Sequence, residues 1–144
     1  MIHFKPFTEK HEYDWFKDRV HVIYCEDSQG IIAYKDNGKI AGGVIFDTWT
    51  PQSVNVHIAI DDPLCIRGGL FTQVAIHGFH TGGKKRMFGM VPDNNEKALK
   101  LDKKIGFHEV ARIPDAISDG IGYVILRLDK ENCRWLPKEL REAA

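Results

Sequence analysis

At 144 residues the chain has the length of one ordinary domain and enough sequence to bury a core. Hydrophobic residues make up 43% and charged residues 28%, and 20 Lys and Arg balance 20 Asp and Glu, for a formal net charge of zero. Proteins that bind nucleic acid by neutralising phosphates are usually basic over at least one face, so no nucleic-acid partner is expected.

The first strand is predicted at residues 2–4. Thr8 then caps a helix in which Tyr13, Phe16 and Val20 recur at i, i+3 and i+7. Residues 21–27 read equally as helix tail or strand. From residue 31 the period changes. Residues 31–35 form a β-type run, Asp36-Asn37-Gly38 a tight turn and residues 39–49 a second strand. Residues 53–61 alternate, with Val54, Val56, Ile58 and Ile60 on one side and Asn55, His57 and Ala59 on the other. A loop through Arg67-Gly68-Gly69 leads to a helix at 70–80 that Gly82-Gly83 stops. A strand at 86–91 follows, then a helix capped by Asn94 or Asn95 and ended by Gly106. Strands at 107–113 and 120–128, joined by a loop containing Pro114, close the series.

This order predicts an α/β fold with a mixed, mostly antiparallel central sheet flanked by helices on both faces. No repeat or linker divides the chain, so residues 1–130 are expected to form a single domain and 131–144 a C-terminal extension, either a docking tail or a strap over the sheet. No apolar run is long enough to cross a bilayer, and the first ten residues lack the apolar stretch of a signal peptide. Cys25, Cys65 and Cys133 form neither a CxxC pair nor an even-numbered framework. The expected setting is reducing and cytoplasmic, with no membrane partner.

Residues 95–107, NEKALKLDKKIGF, place Asn95, Ala98, Leu101, Gly106 and Phe107 at the spacing N-x-x-A-x-x-L-Y-x-x-x-G-F. In this, and in the element order from about residue 30 to 128, the chain resembles the GCN5-related N-acetyltransferase (GNAT) family, and its loose motifs resemble those of small members encoded by bacteriophages. The resemblance implies acetyl-CoA as co-substrate and direct acyl transfer to a primary amine. The acceptor stays open among small amines, peptide N-termini, lysine side chains and antibiotics. It implies coenzyme contacts from the backbone of Ile58, Ala59 and Ile60, pyrophosphate contacts from Arg67, Gly68 and Gly69, a pantetheine contact or helix-start role for Asn95, and a phosphate contact from Lys103 or Lys104. Family members are often dimers, so a homodimer is compatible, although no exposed apolar stripe in the sequence demands one.

Two departures bear on the chemistry. The coenzyme loop of the family reads Q/R-x-x-G-x-G/A, whereas CIRGGLF aligns only one of its small residues. A plain turn into a helix accounts for Gly68-Gly69 equally well. The Tyr that protonates the departing thiolate in the family is Asp102 here, and an ionised Asp cannot donate. Tyr123 on the last strand is the candidate substitute.

His57, on the polar side of its strand, is the candidate base, since an imidazole titrates near neutral pH. Asp47 and Trp49 stand where an amine-binding mouth would open. His77 and His80 lie three residues apart without a Cys or acidic partner at ligand spacing, so no metal is expected. No convincing covalent nucleophile is present. The alternative to an enzyme is a GNAT-like fold kept as a binding or interaction protein with little catalysis.

Overall fold

The computed structural model describes residues 1–141, so the last three residues of the expected extension lie outside the described residues. Seven strands form one sheet: β1 (Ile2–Pro6), β2 (Gln29–Lys35), β3 (Ile40–Asp47), β4 (Ser53–Ile60), β5 (Arg86–Pro92), β6 (His108–Ser118) and β7 (Ile121–Asp129). Their spatial order is β1-β2-β3-β4-β5-β7-β6. The helices are α1 (Lys10–Lys17), α2 (Leu64–Arg67), α3 (Leu70–Ala75, continued by a π-helical stretch, Ile76–Thr81), α4 (Glu96–Ile105) and α5 (Lys138–Arg141). No described helix is long and apolar enough to cross a membrane.

The alternation along β4 separates the two faces of the sheet. Val54 and Val56, with Ile58 and Ile60 half-buried beside them, join Leu70, Phe71 and Val74 of α3 and Leu99 and Ile105 of α4 in the main core. Met87 and Val91 of β5 and Val124, Leu126 and Leu128 of β7 complete that side. On the opposite face Ala59, Ile45 and Ile32 pack under Phe16 of α1, with Tyr13 and Trp15 around them. Helix α1 therefore covers the β2–β4 half of this face.

The parallel contact in the sheet is short. Ser53, Val54 and Asn55 of β4 pair with Arg86, Met87 and Phe88 of β5, and beyond them the two strands part. The other neighbouring strands pair antiparallel. From Val56 onward the edge of β4 that faces β5 has no ladder partner among the described residues. A V-shaped opening results, bounded by Val56–Ile60 on one side and Gly89–Pro92 on the other.

Several local expectations change. Thr8 does not cap α1. The Glu12 carboxylate reaches back instead to the amides of Thr8, at 2.9 Å, and Glu9, at 3.0 Å. Residues 21–27 are neither helix nor strand. The loop before α3 contains α2, begun by Asp62 Oδ1 accepting from the Leu64 amide at 2.9 Å. Pro114 lies within β6 rather than in a loop, at an outer-edge strand whose register to β7 shifts between Ile113 and Ser118. A proline is tolerated there because no outer ladder needs its missing N–H.

The C-terminal segment straps the helical face. Cys133 and Leu136 are buried in the main core. The Trp135 indole donates to Ile105 O at 2.8 Å, and its ring meets Phe71 edge-on at 5.2 Å. Trp135 thus fills the space between α3 and α4 down to a void of about 10 Å³.

Candidate functional site

The opening between β4 and β5 gathers titratable groups on both faces of the sheet. On the α1 face, His57 Nε2 lies 2.9 Å from Asp47 Oδ2, with both side chains largely buried. The hairpin register explains the meeting, because Asp47 pairs with Asn55 and so stands diagonal to His57 on the same face. A carboxylate acceptor on Nε2 makes that nitrogen the donor and leaves the Nδ1 lone pair free to take a proton. Thr48 Oγ1 also donates to Asp47, at 3.1 Å. Trp49 turns to the other face, stacks on Phe46 and buries its indole N–H without a described partner, so it does not share a mouth with Asp47.

On the α3–α4 face stands Asp102. It follows Leu99 by three residues and precedes Ile105 by three, within the buried stripe of α4. A Cβ added to Gly89 of β5 would lie 3.5 Å from Asp102 Oδ2, so the carboxylate overhangs the one residue of that strand without a side chain. No described group donates a hydrogen bond to it, and burial pushes its pKa up to about 7. A carboxyl raised in this direction keeps its proton further toward neutral pH than an ordinary Asp, and in that form it can donate.

The glycine loop divides into two roles. Gly68 has an ordinary φ of −77°, and a Cβ there would strike the Ile2 side chain at 2.6 Å. Its smallness serves packing against β1 rather than a ligand. Gly69 has a φ of +104° and open space around it, and it starts α3. Gln73 N bonds Gly69 O at 3.0 Å, whereas the first-turn amides of Leu70, Phe71 and Thr72 precede the helical ladder and have no carbonyl behind them. Arg67 is exposed beside them, and its guanidinium makes no hydrogen bond or ion pair with the described residues. Free amides, a free guanidinium and a residue that adds no bulk fit an anionic ligand.

The remaining expected residues are dispersed. Ile58, Ala59 and Ile60 line the β4 side of the opening. Asn95 caps α4, its side chain accepting from the Ala98 amide at 3.1 Å. Lys103 and Lys104 lie in the last turn of α4, toward Gly106 and Leu128, at the far end of the sheet from Gly68, which packs on Ile2. The structure does not bring these lysines together with Arg67 and Gly69. Tyr123 of β7 alternates with buried Val124, so it points to the face opposite α4 and Asp102.

Cys65 is buried, donates to Ala41 O at 3.6 Å, and has its thiol pushed up to about 11 by burial, which leaves it unreactive. His77 bonds Gln29 Oε1 at 2.8 Å, its pKa lowered by burial, beside a cleft of about 510 Å³ away from the opening. Glu9, His11 and Glu12 approach closely enough to share a cation, but the Glu12 carboxylate already accepts from Lys5, Thr8, Glu9 and Tyr34.

Asp102 and the His57–Asp47 pair are the features that sequence reasoning missed or undervalued. A lone acid within the buried stripe of a helix was a readable signal for Asp102. An acid ten residues before a histidine, across a short turn, was one for the pair.

No protein-family model matches the sequence, and no curated protein matches it. Solved structures do. The spermidine/spermine N-acetyltransferase of Vibrio cholerae, solved in complex with manganese ions, superposes with a TM-score of 0.72 at 11% identity over 90% of this chain and 93% of its own. A protein assigned to the GNAT acetyltransferases from Desulfovibrio desulfuricans gives 0.69 at 14% identity over 90% and 99%. One assigned as an acetyltransferase from Acinetobacter baylyi gives 0.70 at 14% over 96% and 97%. At these identities the likeness is one of fold, and the fold of this chain is that of the GNAT proteins.

Proposed function

We propose that this protein transfers an acetyl group from acetyl-CoA directly to a primary amine. The observation that carries the reading is the parting of β4 from β5, with the His57–Asp47 pair on one face and the Asp102 carboxyl over Gly89 on the other. Arg67, Gly69 and the first-turn amides of α3 would hold the coenzyme's phosphates, and the unpaired edge of β4 at Ile58–Ile60 its amide-rich arm. The bound coenzyme supplies an acyl group already activated as a thioester.

The chain's own residues manage the protons. The amine nitrogen attacks the thioester carbonyl carbon, a C–N bond forms, and the C–S bond breaks. The nitrogen gives up its extra proton to His57 Nδ1, and the departing sulfur takes one from Asp102. Asp47 is a positioning residue that holds the imidazole and stabilises its charged form. Direct transfer is favoured over an acyl-enzyme because Cys65 is buried and protonated.

Calorimetric titration of acetyl-CoA into the wild-type chain, Arg67→Ala and Gly69→Asp tests the reading. Asp tolerates the positive φ of position 69 better than most residues, and it would meet open space. Micromolar binding weakened at least about tenfold in both variants is expected from the loss of charge-assisted contacts. Absence of binding to the wild type sinks the proposal. Binding without turnover of any amine would favour the non-catalytic binding protein.

A further inference from the structure

Thr48 carries a backbone conformation that its side chain disfavours. Its φ is +54°, and among the described residues only Asp115 shares a positive φ without being glycine. Aspartate enters that region with some ease, whereas a residue branched at Cβ is an outlier there. Glycine would adopt it without penalty. Such a conformation persists where the surroundings over-determine it, and those of Thr48 do so on both sides.

On its C-terminal side stands Trp49. An extended chain would set Trp49 on the face of Asp47, two residues earlier. The left-handed turn at Thr48 sends it back to the α3 face instead, where its ring stacks on Phe46 at 5.9 Å and meets His77 edge-on at 5.9 Å. A Cβ on Gly82 would lie 2.7 Å from that ring, so the fit is close. The Trp49 amide donates to Asp27 Oδ2 at 3.1 Å. Asp27 is itself held in a tight turn: the Ser28 amide donates to Cys25 O at 3.0 Å, and the Cys25 amide to Ser28 Oγ at 2.8 Å.

On the N-terminal side, Asp47 ends the ladder of β3 with β4 in its pair with Asn55. Its Oδ1 accepts from Thr48 Oγ1 at 3.1 Å, and its Oδ2 lies 2.9 Å from His57 Nε2. Those are the two side-chain donors that the described residues offer this carboxylate. With the imidazole alone, the carboxylate would be free to swing about its soft terminal torsion.

We propose that Thr48 and Asp27 are positioning residues for His57. Asp27 pins the Trp49 amide, the pinned chain keeps Thr48 left-handed, and the hydroxyl so placed turns the second oxygen of Asp47 onto the imidazole. A glycine at this position would relax the backbone but lose the donor. The hydroxyl is what the strained residue contributes. The proton-accepting role of His57 rests on the acetyl-transfer reading, whereas the positioning does not.

The test follows the His57 Nε2–H proton by NMR in the absence of acetyl-CoA, with His57→Gln to assign the signal. A largely buried imidazole N–H bonded to a carboxylate should exchange with water slowly enough to be seen. Thr48→Val keeps the shape and removes the hydroxyl, Thr48→Gly removes hydroxyl and strain together, and Thr48→Ser keeps the hydroxyl. Exchange is expected to quicken at least about tenfold in Thr48→Val, Thr48→Gly and Asp27→Ala, the scale of one hydrogen bond to a charged group. In Thr48→Ser it should stay near the wild-type rate. Thr48→Gly should also melt at least about 2 °C above Thr48→Val, because both lack the hydroxyl and only Thr48→Val keeps the strain. A signal as slow in Thr48→Val as in the wild type overturns the proposal, and so does a wild type with no such signal. Unchanged exchange in Asp27→Ala overturns the part given to Asp27. Failure of the wild type to bind acetyl-CoA would end the transfer reading and leave the positioning to be judged by these spectra.

Discussion

Asp102 lies among apolar residues with no donor to its carboxylate, an arrangement that favours the neutral acid. The folded chain retains on it a proton that the unfolded chain releases above about pH 4. Stability from this group is therefore full in acid, falls as pH rises from about 4 to about 7, and is flat above that. Ionisation costs at most about 4 kcal/mol. Asp102→Asn should raise urea-denaturation stability at pH 8 by about 1–3 kcal/mol, with little gain at pH 4. In the same variant turnover should fall by about 10²-fold, the usual scale for losing a general acid. An equal stability gain at both pH values would mean that the carboxylate does not titrate in the folded chain. The periodicity of residues 95–107 leads to Ala98, Leu101 and Ile105 as the inner face, and Ala98 and Leu101 do pack half-buried against the core beside the buried Leu99 and Ile105. Asp102 adjoins that face, three residues from each of Leu99 and Ile105, and an acid at such a position is what the sequence had to offer as a sign.

Among the elements, α1 depends on a single buried side chain. Glu12 is fully buried and gathers Lys5 Nζ at 2.6 Å, the Thr8 and Glu9 amides and the Tyr34 hydroxyl, pinning the helix start to β1 and β2. Desolvation alone would raise its pKa, but those four donors outweigh it and bring it down to about 2. The stabilisation is present above the ordinary Glu range, near pH 4.5, and is lost as pH falls through about 2. Glu12→Gln should cost about 2–4 kcal/mol at pH 7, the scale of breaking a buried, hydrogen-bonded charge. Its deficit against wild type should shrink between pH 4.5 and pH 2 in denaturant titrations, and a constant deficit would count against this account. Elements with strong local signals were legible in the sequence: the Asn37-Gly38 hairpin between β2 and β3, and the alternation of β4. Elements set by distant contacts were not. Helix α2 is a single turn fixed by Asp62, and β6 continues through Pro114 because nothing pairs with its outer edge.

At the scale of the whole molecule, the segment expected to begin an extension at residue 131 is joined to the core. Cys133 and Leu136 are each 1% exposed, and Trp135 bridges α3 and α4 through Phe71 and Ile105. Those two helices flank the proposed coenzyme site, one following β4 and the other following β5. Because the strands beneath them part, the sheet ladder does not fix the spacing of the helices, and Trp135 supplies a contact that does. Removing its ring deletes a large packed side chain and leaves a cavity that the diverging strands cannot collapse to fill. Trp135→Ala should therefore cost about 2–4 kcal/mol, corresponding to a fall in Tm of roughly 5–15 °C for a chain of this length. Far-ultraviolet and near-ultraviolet circular dichroism should still melt together, because the strap and the sheet share one core. A tail packed from outside would give a different result, with Tm unmoved in the variant and, in the wild type, the near-ultraviolet signal of Trp135 lost at a lower temperature than the far-ultraviolet signal. Coincident melting at a lowered Tm would place residues 133–136 inside the cooperative unit that holds α3 and α4 on either side of the opening.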